Sequence, residues 1–275
     1  MFKRFNYIFD SDTAPFKDEN YIEIGEKIYS DFQKISELCL KKFILDNGHI
    51  DATALKEHWF GTIDADVFIS HSHIDLDEVK SFAGWLYKKF GLKSFIDSCA
   101  WGYCDELLRE IDNKFCKRHD EDVYDYNSRN CSTSHVHTML ATALTEMMDI
   151  TECLIFFNTP QSIDLKTEIS EANSKSKANT HSPWIYHELS ISGMLKVKMP
   201  ERYRKMISNE SLQENHINFI KDNSMSFDYD VSEKLAKMIT IDNDTLKNWG
   251  RYNINSKVKG AKALDELYKV CKRKI

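Results

Sequence analysis

The residues best suited to chemistry stand together in Ser182-Pro-Trp-Ile-Tyr-His-Glu-Leu189. On a helix, the spacing of Trp184 and Glu188 puts one above the other on a single face. An indole beside a carboxylate offers a flat apolar wall next to a charge. That suits a nucleoside whose base stacks while its ribose hydroxyls bond the acid. Taken alone, the same spacing also describes a core tryptophan and a solvated glutamate. Ser182 can cap the helix and Pro183 can open its first turn, which fixes where the pair begins.

Further candidates follow two short apolar runs. Ser70, His71 and Ser72 come directly after Ala65-Asp-Val-Phe-Ile69 and suit phosphate or ribose, although such residues also satisfy loop backbone. Asp97 closes Lys93-Ser-Phe-Ile96, where it can order a covering loop or simply cap a turn. Cys116 with His119, then Cys131 with His135, have ligand types and spacing that could hold zinc. They fit no strict zinc signature, so the expectation is no metal, with a structural or ligand-facing role for these histidines and for His137.

Elements that position these residues can be read from periodicity. Residues 20–45 carry Tyr21, Ile24, Ile28, Phe32, Ile35 and Cys39 at helical spacing. Residues 65–70 read as a buried strand. A helix then starts at Asp75, with Glu78 completing a capping box, and ends at Gly91. Lys93 to Asp97 is the next strand, a polar turn follows, and Asp105 to Ile111 is a second helix. Residues 116–133 read as an inserted loop, Ser134 to Asp149 as a helix, and Cys153 to Phe157 as the most apolar strand. The Ser-, Thr-, Asn- and Lys-rich residues 161–181 read as a second long loop. Val258, Ala261, Leu264, Leu267 and Cys271 suggest a last amphipathic helix.

Strands alternating with helices imply an α/β fold with a central parallel sheet covered by helices on both faces. Ligands in such sheets bind outside the carboxyl ends of the strands. The segments Ser70-His71-Ser72, Asp97 to Gly102 and Asn158-Thr159-Pro160 should therefore converge. The expected organisation is a helical N-terminal extension over 1–60, the α/β domain over 61–200, and a helical C-terminal extension over 201–275.

A hydrophobic fraction of 42% excludes a disordered chain, and a net charge of −6 excludes a general field for nucleic acid. No apolar run approaches the roughly 18 residues of a membrane span, so no membrane partner is expected. Seven cysteines without a secretion signal fit a reducing compartment, and the expected location is the cytoplasm.

Over roughly residues 64–200 the chain resembles a bacterial-type Toll/interleukin-1 receptor (TIR) domain. Asp66-Val-Phe-Ile-Ser-His-Ser72 with Asp75 is similar to the family's first strand and loop. Phe95-Ile-Asp97 and the segment around Gly102 resemble its second strand and BB loop, which would contain Trp101. Leu154-Ile-Phe-Phe157 resembles its third strand, and Ser182 to Leu189 the helix bearing the catalytic glutamate. The long stretches 116–149 and 161–181 depart from the pattern.

The resemblance implies a flavodoxin-like fold and cleavage of NAD+ at the nicotinamide–ribose bond, with Glu188 catalytic. Substrate would be held by Trp184, Ser70, His71, Ser72, Asp97 and Trp101. The products would be nicotinamide and ADP-ribose, or a cyclised or conjugated ADP-ribose signal, in antiphage defence. NAD+ is then substrate, with no resident cofactor. Self-association through the TIR loops and helical extensions, and a downstream effector protein, are the expected partnerships. The alternative is a non-enzymatic interaction module that recruits partner proteins.

Overall fold

The computed structural model describes residues 1–33, 40–118, 123–170, 173–204 and 227–272. In chain order the elements are β1 (Lys3–Ile8), α1 (Glu19–Gln33), α2 (Ala52–Trp59), β2 (Val67–Ser70), α3 (Leu76–Phe90), β3 (Ser94–Ile96), α4 (Ser98–Ile111) and α5 (Tyr126–Ile150). They continue with β4 (Cys153–Asn158), β5 (Asp164–Ser170), β6 (Asn173–Thr180), α6 (Pro183–Met194), α7 (Glu201–Arg204), β7 (Tyr229–Asp230), α8 (Ser232–Ala236), β8 (Ile239–Asp242), α9 (Asn243–Ser256) and α10 (Ala263–Lys272).

Five parallel strands form the central sheet in the order β3-β2-β4-β1-β8. Side chains alternate across it because successive Cβ atoms point to opposite faces. Val67, Ile69, Cys153, Ile155 and Phe157 enter one core with Phe82 and Leu86 of α3, Trp249 of α9 and Leu267 of α10. Phe68, Leu154 and Phe156 enter the other core, with Leu107 of α4, Leu140 and Leu144 of α5, and Ile185 and Leu189 of α6. Both faces are apolar, which is why β4 reads as an uninterrupted hydrophobic run. Counted from β2, the strands lie in the order second, first, third, the start of a flavodoxin-like sheet.

The fourth and fifth places correct the expected boundaries. The N-terminal segment is not wholly helical: β1 lies between β4 and β8, with Phe5 opposite both Ile155 and Ile239. Its polar residues Lys3, Arg4 and Asn6 interrupt the apolar pattern, so its role depends on the partners on either side. The C-terminal segment likewise supplies a strand, β8, and Asp242 closes it by capping α9 in a capping box with Thr245. α9 and α10 pack on the body: Phe90 stacks on Trp249 at 3.8 Å, and Leu264, Leu267 and Cys271 are buried.

Three other expectations change. α1 is described as far as Gln33, Ile35 and Cys39 lie outside the described residues, and Leu40–Phe43 forms a short 3-10 turn in place of the expected helix. Residues 126–133 of the expected loop are helical, because Asp125 caps α5 through Ser128 N and starts the helix at Tyr126. The stretch 161–181 contains an antiparallel hairpin, β5 with β6, to which β7 adds a third strand. Its sequence is mostly polar, with only Leu165, Ile169 and Ala178 apolar on one face, too few for the alternation by which a strand is recognised.

Gly91 does end α3, in the left-handed region at φ 66°. α1 crosses α3 where Gly25 faces Lys80 and Gly84 faces Tyr21; a Cβ on either glycine would stand 2.0 Å from a carbonyl oxygen. Arg202 joins the base of β4 to α10 by bonding both Glu152 and Asp265, and the Tyr268 hydroxyl donates to Glu152. Among the described residues no helix is long and apolar enough to cross a membrane.

Candidate active site

α6 begins as its sequence directs. Ser182 Oγ accepts from Ile185 N at 3.3 Å, and Pro183 occupies the first turn. Ile185, Glu188, Leu189 and Ser192 form the buried face, at the spacing of one side of a helix. Three of these suit a core. The fourth is a carboxyl group with 0% exposure.

Glu188 meets its partners at the carboxyl ends of β2 and β3. Ser70 Oγ donates to Glu188 Oε2 at 2.5 Å. Asp97 is also 0% exposed and stands at the N-cap position of α4, yet its side chain makes no capping bond. It turns inward instead: Oδ2 accepts from His71 N at 3.2 Å, and Oδ1 stands 2.5 Å from His71 Nδ1. The Asp97 and Glu188 carboxyl groups are themselves hydrogen-bonded. Four polar side chains from three elements thus share one water-excluded volume.

Burial dominates their electrostatics, because removing a charge from water disfavours it. It pushes Glu188 well above the usual carboxylate range, and the neighbouring Asp97 charge adds to this; Ser70 and His71 oppose it. Burial also lifts Asp97 above the usual carboxylate range, against the hydrogen bonds from Glu188 and His71 N. It depresses His71 to about 4, against the attraction of Glu188 and Asp75. At neutral pH His71 is therefore an uncharged imidazole.

The remaining sequence candidates fall around this centre. Ser72 is buried but starts the short turn His73–Asp75 without a side-chain capping bond. Trp184 is half-buried, and its ring lies edge-to-face with His137 of α5 at 5.6 Å and near His187 at 6.5 Å. Trp101 belongs to α4 rather than to a loop, and its side chain lies outside what is described.

Asp75 corrects the capping-box reading, because its side chain does not cap α3. It accepts from Thr159 Oγ1 at 2.6 Å, and Ser162 Oγ accepts from Thr159 N at 2.9 Å. Thr159 thus brings the end of β4 to the site, while Asn158 donates to Asn6 on β1. Sequence reading pointed to Thr159 only through its place at a strand end and gave Asp75 the role of a helix cap.

Cys116, Cys131 and His135 lie elsewhere, lining a cavity of about 420 Å³ with His49 and Met139. Cys116 Sγ donates to Ser132 Oγ at 3.8 Å, and His119 is outside the described residues. No three His, Cys, Asp or Glu side chains among the described residues are grouped to hold a metal. A second cavity, about 240 Å³, lies under the first turn of α4, between Trp59, Phe60, Phe95, Cys99 and Ala100. Chemically, the centre brings together two carboxyl groups, a hydroxyl donor and a neutral imidazole, all fully buried. Comparison with protein-family models, with curated proteins and with solved structures finds no match to this chain.

Proposed function

We propose that the chain cleaves NAD+ at the nicotinamide–ribose bond, with Glu188 as the catalytic carboxylate. The observation that carries this reading is the hydrogen bond between Glu188 and Ser70 at the carboxyl end of β2, beside β4. In the flavodoxin-like order, β2 and β4 flank the place where connections leave in opposite directions, and ligands bind in the crevice there. The scissile bond is an N-glycoside with a cationic leaving group, so the reaction needs little acid catalysis. Its oxocarbenium-like transition state is stabilised by one nearby negative charge and by fixed ribose hydroxyls. Glu188 meets the first need. On this reading Ser70 and His71 would hold ribose or phosphate, Asp97 would order the segment that covers the substrate, and Trp184 would supply an aromatic wall on the same helix.

Water capturing the cation gives nicotinamide and ADP-ribose; an internal nucleophile gives a cyclised or conjugated product. The reading extends to a cytoplasmic role in bacterial antiphage defence, with assembly of copies and a downstream effector. Mass spectrometry of products after incubation with NAD+ tests it. Nicotinamide should appear with the native chain and not with Glu188→Gln; equal release from both refutes the assignment. Complete burial of Glu188, Ser70, His71 and Asp97 favours a second reading, a non-enzymatic interaction module. Its mark is no nicotinamide release at any protein concentration, with self-association lost on changing Trp101.

A further inference from the structure

We propose that Asp97 is a positioning residue for Glu188: the two carboxyl groups share one proton in the closed site, carried by Glu188 and accepted by Asp97. This rests on Glu188 being the carboxylate that faces the ribose cation, and it adds how that carboxylate is held ready.

The hydrogen-bond pattern assigns the proton. Glu188 Oε2 is taken by the Ser70 hydroxyl, whereas Oε1 receives no donor among the described residues. Both oxygens of Asp97 face His71, one accepting its backbone N–H and the other beside its ring nitrogen. Asp97 Oδ2 accepts an N–H and Oδ1 lies 2.5 Å from a ring nitrogen, which favours the ionised form; Glu188 Oε1 has neither neighbour, so the carboxyl proton belongs there. A hydrogen bond between two carboxyl groups needs one proton, and Glu188 is the member placed to give it.

The surroundings keep the proton there. Two adjacent carboxylates with no solvent exposure repel each other strongly, so only one ionises. The groups facing Glu188 are Ser70 and His71 from the end of β2 and Asp97 from the start of α4; Asp75 acts on His71 from beyond. The imidazole is uncharged at neutral pH, so it cannot supply the compensating positive charge. Glu188 becomes the anion the reaction requires when the proton leaves the pair, as it does on separation from Asp97 or on opening to water. The atom balance is simple: one O–H bond breaks at Glu188 and one forms on the solvent water that takes the proton.

Difference infrared spectroscopy reads this directly. Native protein at neutral pH should show a buried protonated-carboxyl band that is lost in Glu188→Gln. In Asp97→Asn the band should persist with its frequency moved, because its acceptor is now an amide. A native spectrum without the band overturns the proposal, whatever the activity. A band at the same place in native protein and Asp97→Asn overturns the pairing. The pH profile of nicotinamide release is the second readout. The native acid limb should lie above the usual carboxylate range, and Asp97→Asn should move it down by roughly 1–3 units. An unmoved limb removes the role from Asp97. No native turnover at any pH refutes the NAD+ reading alone, leaving the infrared result to decide the pair. If Asp97→Asn fails to fold, the native and Glu188→Gln spectra still decide whether Glu188 holds the proton.

Discussion

Ser70 Oγ donates to Glu188 Oε2 across 2.5 Å, joining residues 118 positions apart in the chain. The bond fastens α6 to the end of β2 and fills one of the two acceptor oxygens of a buried acid. Removing the donor leaves that oxygen without a partner in a dry site, which costs roughly 1–3 kcal/mol. Ser70→Ala should therefore lower the urea midpoint and reduce kcat for nicotinamide release about 10-fold or more. Native stability with native kcat in this variant would contradict a structural and a catalytic role together.

Stability should depend on pH in a stated direction. Glu188 and Asp97 are both raised in the fold, so the pair favours folding while it keeps its protons. That contribution is fully present below the ordinary carboxylate range and is lost as pH rises above it through the raised values of the pair. His71, lowered to about 4, acts oppositely: its contribution is lost as pH falls from the ordinary imidazole range through about 4. Urea midpoints measured from pH 5 to 9 should fall on the alkaline side in native protein and fall less in Asp97→Asn. A flat native profile would contradict the buried pair.

The crossing of α1 over α3 has no room for a side chain at Gly25 or Gly84. Alanine at either position must push the helices apart, at a cost of about 1–3 kcal/mol, with more where backbone cannot give. Thermal unfolding of Gly84→Ala checks this. An unchanged Tm would mean that the helices do not touch as described.

Arg202 lies between two acids, with side chains of Arg202, Glu152 and Asp265 exposed by 21%, 13% and 22%. Arg202→Ala leaves both carboxylates facing each other beside Tyr268. Fully buried pairs lose roughly 3–5 kcal/mol on such a change; solvent at this site brings the expected loss to about 2 kcal/mol. The measurement is a urea titration at neutral pH, repeated in high salt, where screening should narrow the difference.

Removing residues 240–275 should unfold the sheet rather than merely release one copy from another. β8 pairs with β1, and α9 and α10 supply Trp249, Leu264 and Leu267 to the core. Circular dichroism of the truncated chain should show loss of folded structure. A stable, cooperatively melting fragment would restore the view of this region as an appendage.

Local sequence determined a good part of the molecule. Val67–Ser70, Ser94–Ile96 and Cys153–Asn158 are strands because short apolar runs fit a sheet buried on both faces. α3 stops at Gly91 because glycine enters the left-handed region freely, and α6 starts at Ser182 because a hydroxyl satisfies its first free N–H groups. These rules act over a few residues and need no partner. Tertiary structure decided what such rules cannot reach. β1 and β8 are strands because the partners on each side accept their backbone groups, and their own patterns are too mixed to announce it. The polar hairpin Asp164–Thr180 is held by backbone pairing rather than by an apolar stripe. Asp75 and Asp97 sit at helix starts where sequence offers them as caps, yet the fold turns them to Thr159 and His71. Spacing alone allowed Glu188 to be a solvated helix residue. Its burial against Ser70 and Asp97 arises only when three strand ends and α6 meet, a pairing between distant segments that no local periodicity encodes.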